Sequence, residues 1–584
     1  MAIDLHHLPP GLVLIVCGGL LSFLRLRLRQ LTVALLPPLL LVQLCVLEPT
    51  APTHWLGQTL IWLNPSATGL LFAAIFLIAL WAGSLFALKD ARPCELAAAF
   101  IYAGGSIGIS LCGDWISLFI FWEIMALAST LIIWNGGQPD SQQAGLRYLL
   151  VHLAGGVLLL IGIAGLALSG NHLVFGHLSV QGWPYWLVLA GILVNAGAPP
   201  LSFWVADAYP QASASGMVFL SAFTTKTAVF VLITAFDGEQ LLIPVGLYMA
   251  FYGIVYALLE TDVRRILAYS IINQVGFMVT AVGIGTQAAL IGATTHAGAH
   301  IFYKMVLLMG AGEVLRQTGT SRATHLGALW RTMPWTTACV VIGAAASMGL
   351  PFTSSFVTKS LILQGAAEQH LPVVWILLLL CSAAVVFNAG IRFPWLTFFQ
   401  PTSLNPSPQQ DISPERASDI AGLSRLAITA GAALCLLVGW FPQTLYSWLG
   451  AHNQYHPYVL PHLIEQMQVL LPATLLFFVS LRWFQPQPAL LLDTDWVFRR
   501  LLYTLWLWTG HTLKNQVQLI VTISSRSLIR SFQFLFRTHG PRGVLARSWP
   551  TGSLALWVAF LLASYVAVYN LKTQTLWKFI QNAF

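Results

Sequence analysis

Four places in an otherwise apolar chain hold side chains that can take up and release a proton. Glu123 lies in DWISLFIFWEIMALAS and Lys226 in SAFTTKTAVF, while THAGAHIFYK places His296, His300 and Lys304 at i, i+4 and i+8. Lys359 lies in ASMGLPFTSSFVTKSLIL. Each four-residue step turns a helix by about 40°, so the two histidines and Lys304 share one face over about 12 Å. An ionisable group at mid-bilayer is costly, and such groups mark ion pathways by default. Burial and mutual charge make their proton affinities movable, and an imidazole can pass a proton from one ring nitrogen to the other. A file of such groups bridged by water suits ion relay rather than bond-making. Taken singly, each could instead be half of a buried ion pair or a hydrogen-bonded core histidine.

The elements that must position these groups follow from composition. Hydrophobic residues make up 57% of the 584 and charged residues 8%, against about 25% charged in soluble domains. Apolar runs of about 20 residues recur along most of the chain, and period-2 alternation is too weak for a β-barrel. The expected fold is an all-α polytopic membrane protein of about 14–16 transmembrane helices, sixteen if every apolar run from 11–24 to 553–571 spans. Two runs, 184–206 and 334–364, are expected to be broken, at Pro199-Pro200 and at Gly349-Pro351, because proline removes a ladder donor and clashes with the preceding turn. Non-helical backbone in a bilayer is tolerated only inside protein or along a wet cavity. A break followed by an intramembrane lysine therefore reads as an ion site, and the pair hints at a repeated architecture. The alternative is a kink that only shapes packing, with Lys226 snorkelling to an interface.

Seven cysteines lie singly in apolar segments with no ligand spacing, and they read as small buried hydrophobes rather than metal or disulfide partners. No metal site, cofactor motif or nucleic-acid patch is expected, and the net charge of +8 resides in short loops and one late segment. The first run, beginning near Gly11, lacks a small-residue cleavage site and is expected to be a retained helix. Arginines and lysines cluster in alternate loops, whereas 48–65, 169–183, 237–240, 365–372 and 442–462 hold none. The positive-inside rule then puts both termini outside the cytoplasm.

The chain divides, on this reading, into N-terminal transmembrane helices (1–65), a core (66–395), a polar linker (396–421) and two further helices (422–492). A lateral amphipathic helix (493–537) and a C-terminal anchoring helix (538–584) complete it. The lateral helix rests on basic residues such as Arg499, Arg500, Lys514, Arg526 and Arg530, which interrupt an apolar stretch. A short interfacial helix plus another span at 501–523 is the alternative.

At these words the chain resembles the proton-conducting, antiporter-like membrane subunits shared by respiratory complex I, membrane-bound hydrogenases and Mrp-type multisubunit Na⁺/H⁺ antiporters. The matching stretches are GDWISLFIFWE, PLSFWVADAYPQA with SAFTTK, LETDVRRILAYSIINQVGFM, HAGAHIFYKMVLLMGAG, HLGALWRTMP and GLPFTSSFVTKSLI, in order from about residue 65 to 395. The resemblance implies that Glu123 is the fifth-helix glutamate and Lys226 the eighth-helix lysine. It also implies His296, His300 and Lys304 as a central relay and Lys359 as the terminal lysine. Family members usually carry a lysine five residues before the proline of the PLxxW word; here that position is Asn195, so the first half-channel departs from the pattern. Arg147 is a candidate replacement partner for Glu123. SAFTTKTAVF and SSFVTKSLIL look most like the D-type component of the Mrp antiporters. The lateral helix and last span are instead similar to the largest complex I antiporter-like subunit and its Mrp counterpart.

Implied are a proton-translocating subunit of a cation/proton antiporter, a membrane-arm subunit of a quinone or hydrogenase complex, or a subunit powering uptake of inorganic carbon or another solute. Other membrane subunits, protons, possible Na⁺ exchange and the lipid bilayer are the expected partners, in the inner (plasma) membrane of a prokaryote. Any redox cofactor would belong to partner subunits.

Overall fold

Helix boundaries in the computed structural model follow local chemistry. The structure describes residues 6–401, 417–481 and 551–581, apart from 56, 171–172, 180–181 and 451–454, with isolated positions between 493 and 537. Proline stands in the first turn of α1 (Pro10–Leu21), and α2 follows (Leu26–Gln43). A short ribbon, β1 (Thr53–Trp55) antiparallel to β2 (Gln58–Leu60), turns at Gly57. Ser66 caps α3 (Ala67–Ala87), proline opens α4 (Pro93–Leu111), and Asp114 caps α5 (Trp115–Trp134) by accepting from Ile116 and Ser117 N–H. Next come α6 (Ser141–Leu168), α7 (Trp183–Ala196) and the short α8 (Trp204–Ala208). Between α7 and α8 the backbone leaves the helix at Gly197, in the left-handed region at φ 80°, where glycine has no Cβ penalty.

Ser213 caps α9 (Ala214–Ala222), which meets α10 (Thr224–Ala235) at Phe223. Two long central helices are each set by a cap: Asp262 on α12 (Val263–Ile284), which follows α11 (Leu242–Leu259), and Thr286 on α13 (Gln287–Thr318). α14 (Pro334–Met348) stops at left-handed Gly349, and α15 (Ser354–Glu368) starts after it. α16 (Pro372–Val385) runs into wider π-helical turns at Val386–Arg392 and Trp395–Phe399. Then follow α17 (Gly422–Trp440), α18 (Pro442–Trp448), α19 (Leu460–Ser480) and α20 (Thr551–Gln581).

Twelve of the described helical stretches are long and apolar enough to cross a membrane, against the 14–16 spans expected. Four expected runs fall outside that set for physical reasons. α1, α7 and α14 are too short, the last two because glycine ends them early. α13 is 32 residues long but carries Thr294, Thr295, His296, His300, Lys304 and Glu313, which lower its hydropathy. The protein is an integral, multi-pass, all-α membrane protein. Residues 402–416 of the expected linker, and most of the lateral helix expected over 493–537, lie outside the described residues. The chain forms two compact units, Met1–Asp495 and Trp496–Phe584, the second containing α20.

The first unit is layered around α12, buried along its whole apolar window, with the stretch Ala214–Ala235 nearly so. α2 and α19 expose most of their surface. Small residues bring α11 and α12 into backbone contact: a Cβ at Gly276 would stand 2.5 Å from both Ala250 N and Gly246 O. Backbone cannot yield as a flexible side chain can, so overpacking here separates the helices. Gly276→Val is expected to lower the fraction of detergent-extracted protein eluting as one symmetric peak by about fivefold. Gly19→Val, at a position with nothing within 4 Å, should leave that fraction unchanged.

Candidate functional site

Lys226 is fully buried, two residues into α10. α9 and α10 would be one helix but for Phe223, at φ −104° and ψ −72°. No glycine or proline marks this break. Its cause is Tyr102 of α4, whose hydroxyl accepts from Thr224 N–H at 3.0 Å and faces the Leu220 carbonyl at 3.4 Å. A side chain has entered the i→i−4 ladder, a recognised cause of helix kinks. The Lys226 ammonium then donates to the Ser221 carbonyl at 2.6 Å and to Thr225 Oγ1 at 3.0 Å. Lys359 is held in a parallel way, donating to the Ser347 carbonyl at 3.1 Å and lying 5.4 Å from the Phe277 ring centroid. Ser221 and Ser347 are each the penultimate residue of a helix that stops, α9 and α14. The last carbonyls of a helix lack intrahelical donors and carry the negative end of its dipole. Each ammonium therefore rests on a helix C-terminus rather than on a carboxylate.

Between these lysines stand His296, His300 and Lys304 of α13, the first meeting α12 and α15 and the last meeting α12. Lys304 donates to Ser270 Oγ and, at 3.4 Å, to the Leu267 carbonyl. His300 has no hydrogen-bond partner on either ring nitrogen among the described residues. Its ring lies edge-to-face with Tyr303 at 5.2 Å and 6.4 Å from the His296 ring. His296 is bonded on both sides, Nδ1 to Thr358 Oγ1 at 2.8 Å and Nε2 to Gln274 Oε1 at 3.0 Å.

The neighbours assign its tautomer. Asn273 Nδ2 donates to the Ala250 carbonyl, so its Oδ1 accepts from Gln274 Nε2. Gln274 Oε1 is thereby an acceptor, used also by the Tyr303 hydroxyl at 3.0 Å. His296 Nε2 must donate, and in the neutral ring Nδ1 accepts from the Thr358 hydroxyl. The Ser354 and Ser355 carbonyls, each 3.3 Å from Thr358 Oγ1, give that hydroxyl a second acceptor when Nδ1 takes up a proton.

At the other end, Glu123 projects from α5 into a notch on α6. A Cβ at Gly156 would overlap Glu123 Oε1, and that oxygen is buried without a hydrogen-bond partner among the described residues. Asn195, the penultimate residue of α7, is fully buried, and neither of its amide atoms has a partner there.

The expectation that Arg147 pairs with Glu123 is corrected. Its guanidinium binds Asp207 through two bonds, Nε to Oδ2 at 2.7 Å and Nη2 to Oδ1 at 2.9 Å. Asp207, on α8, comes within reach only because the chain turns back after α7.

Two residues of this region were not singled out from sequence. Glu95, in the first turn of α4, is buried and accepts from Ser213 and Ser215 Oγ, each at 2.6 Å. His152, fully buried on α6, bonds the Tyr148 carbonyl at 2.9 Å through Nδ1 and leaves Nε2 without a partner among the described residues. His152 is an ionisable residue inside an apolar run, the same signal that marked the other four places, whereas Glu95 stands at the edge of one, in ARPCELAAAF.

A multi-pass helical membrane protein with buried lysines and histidines on α10, α13 and α15 is thus defined. A family pattern described as NADH:quinone oxidoreductase/Mrp antiporter, TM, matches residues 112–386. The chain is 28% identical over 373 residues to the D component of the Na⁺/H⁺ antiporter of Alkalihalophilus pseudofirmus, covering 60% of this chain and 73% of that one. It is 30% identical over 345 residues to the N component of the NADH-quinone oxidoreductase of Desulforudis audaxviator, covering 54% and 68%. The fold matches a chain of the membrane-bound sulfane sulfur reductase, an archaeal respiratory membrane complex, with a TM-score of 0.68 and 22% identity over 96% of this chain and 100% of that one. The chain belongs to the NADH:quinone oxidoreductase/Mrp antiporter transmembrane family.

The Arg147–Asp207 pair supplies a direct check on the partner assignment. The two side chains are 29% and 11% exposed, so their coupling should be about 1–3 kcal/mol, below the cost of breaking a fully buried pair. Thermal unfolding of Arg147→Ala, Asp207→Ala and the double variant should be non-additive by that amount. Arg147→Ala combined with Glu123→Gln should be additive.

Proposed function

We propose that the chain is a proton-translocating membrane subunit of a multisubunit cation/proton antiporter or a related complex, working beside other membrane subunits in a prokaryotic inner membrane. Glu123, Lys226, His296, His300, Lys304 and Lys359 are its proton-carrying groups, and Na⁺ is the candidate coupled cation. One observation carries this reading. Lys226, Lys304 and Lys359 are buried, yet none makes an ion pair among the described residues; each rests on carbonyl or hydroxyl oxygens. A lysine held by a carboxylate keeps its proton, whereas one held by neutral oxygens in low dielectric can release it.

The steps follow from the contacts. Release of a proton from Lys359 leaves a neutral amine on the Ser347 carbonyl and removes a positive charge facing Phe277. His296 takes up a proton at Nδ1 when the Thr358 hydroxyl turns to the Ser354 or Ser355 carbonyl, and returns it when the hydroxyl turns back. His300, bonded to no protein group described, can rotate between the His296 and Lys304 sides. Water must bridge the two imidazoles, whose ring centroids are 6.4 Å apart. The names of the relatives support this reading, and the 30% identity to an NADH-quinone oxidoreductase component favours a second one, a membrane arm of an electron-transfer complex. Co-purification with flavin or iron–sulfur proteins would select the second.

In everted membrane vesicles, Lys226→Ala and Lys359→Ala are each expected to lower proton-coupled transport by the assembled complex about tenfold or more. Unchanged transport at normal complex content would overturn the proposal. Thr358→Val, which removes the turning hydroxyl, should slow transport about tenfold, and Thr358→Ser should retain it.

A further inference from the structure

We propose that His152 is a proton-carrying residue that exchanges its proton with Glu123. The inference deepens the relay reading and rests on it. Three observations converge on this ring. The first is its hydrogen bonding. Nδ1 lies 2.9 Å from the Tyr148 carbonyl, which can only accept, so in the neutral ring Nδ1 keeps its proton and Nε2 presents a lone pair. That nitrogen is fully buried and has no partner among the described residues, and an unused acceptor in the interior carries a desolvation cost that taking up a proton relieves only beside a negative charge.

The second is the position of that charge. His152 and Gly156 are four residues apart on α6 and share a face. The Glu123 carboxylate occupies the notch at Gly156, with Oε1 likewise unpartnered. Four residues span about 6 Å of helix axis, so residue 152 lies on the face against which the carboxylate is seated, one turn away, and water must bridge the imidazole and the carboxylate.

The third is the aromatic surround. The Tyr148 ring is stacked on the imidazole, with centroids 3.9 Å apart, and Trp204 stands edge-to-face at 4.6 Å. The Tyr148 ring face at this distance attracts a cation. Trp204 is itself fixed by a bond from Nε1 to the Val194 carbonyl at 3.0 Å, next to Asn195. The charged imidazole therefore has a π-lined seat and an anion one turn along the helix.

The step balances without any co-reactant. Through bridging water, the protonated Glu123 carboxyl gives its proton to His152 Nε2, yielding a carboxylate and an imidazolium; the reverse transfer restores both neutral groups. The imidazolium keeps its Nδ1–H bond to the Tyr148 carbonyl throughout. No other cation among the described residues is placed to hold the Glu123 charge: Asn195 is neutral, and Arg147 is committed to Asp207.

The test measures acidification of everted vesicles containing the full complex. His152→Gln and His152→Asn, the second able to keep a bond to the Tyr148 carbonyl, should each lower proton transport about tenfold at normal complex content. Adding Asn195→Lys to His152→Gln, which places an ammonium at the unpartnered amide position on α7, should restore at least about half of the lost rate. Wild-type transport in both single variants overturns the proposal. So does a loss that Asn195→Lys fails to restore, because that pattern marks a packing role. Lys226→Ala is measured in parallel. If it transports normally, the relay reading itself fails; if it is inactive while the His152 variants are active, only the role of His152 falls.

Discussion

Everything at the centre of this protein depends on how a buried ammonium is kept without a counter-charge. Among the described residues three lysines stand in the interior, and an isolated charge there is unfavourable unless it is paired or well hydrogen-bonded. Here the compensation comes from oxygens that regular helices would have used for themselves. Lys226 and Lys359 each take the carbonyl of the penultimate residue before a helix stops. The interruption of the helix and the solvation of the charge are therefore one structural feature. Neutral oxygens stabilise the cation without binding it as strongly as a carboxylate would, and that intermediate strength suits the proton release proposed for these lysines.

The two interruptions are made differently. α14 stops because Gly349 adopts a left-handed conformation and Pro351 follows. α9 stops because the Tyr102 hydroxyl has entered its hydrogen-bond ladder at Thr224. The first is local and intrinsic to the segment; the second exists only when α4 packs against α9 and α10. The Lys226 site is thus tied to the assembly of the whole bundle. Between the two, α12 acts as a polar template, with Ser270 and Gln274 one turn apart meeting Lys304 and His296 on α13.

The Glu123 end is organised by small residues instead of breaks. Gly155 and Gly156 leave α6 narrow enough to receive Val194 of α7 on one flank and the Glu123 carboxylate on the other. Asn195, His152 and Glu123 all retain polar atoms without a partner among the described residues, unlike His296, whose two nitrogens are both engaged. Such concentration of unpaired groups departs from the rule that buried polar atoms find partners, and departures of this kind gather at functional sites. The serines at 213 and 215 serve a separate end of the bundle, where they hold the buried Glu95 carboxylate. Arg264 gathers the Pro210, Ala212 and Ser213 carbonyls beside them, at 2.9 Å each.

What sequence alone determined was whatever hydrophobicity and helical spacing control. The membrane class followed from composition, the shared face of His296, His300 and Lys304 from their four-residue spacing, and the early ends of α7 and α14 coincide with glycine and proline words visible in the chain. Partner choice was another matter, because it depends on which distant residues packing brings together. Arg147 lies close in sequence to the Glu123 helix, yet its fork meets Asp207 after the chain turns back beyond α7. The break at Phe223 carries no local breaker, since a tyrosine more than a hundred residues earlier makes it. The tautomer of His296 needed an amide chain reaching back to Ala250. Periodicity and residue type decide which groups enter the membrane; only tertiary packing decides what each meets there, because hydrogen bonds and charges act over a few ångströms of space and not along the chain.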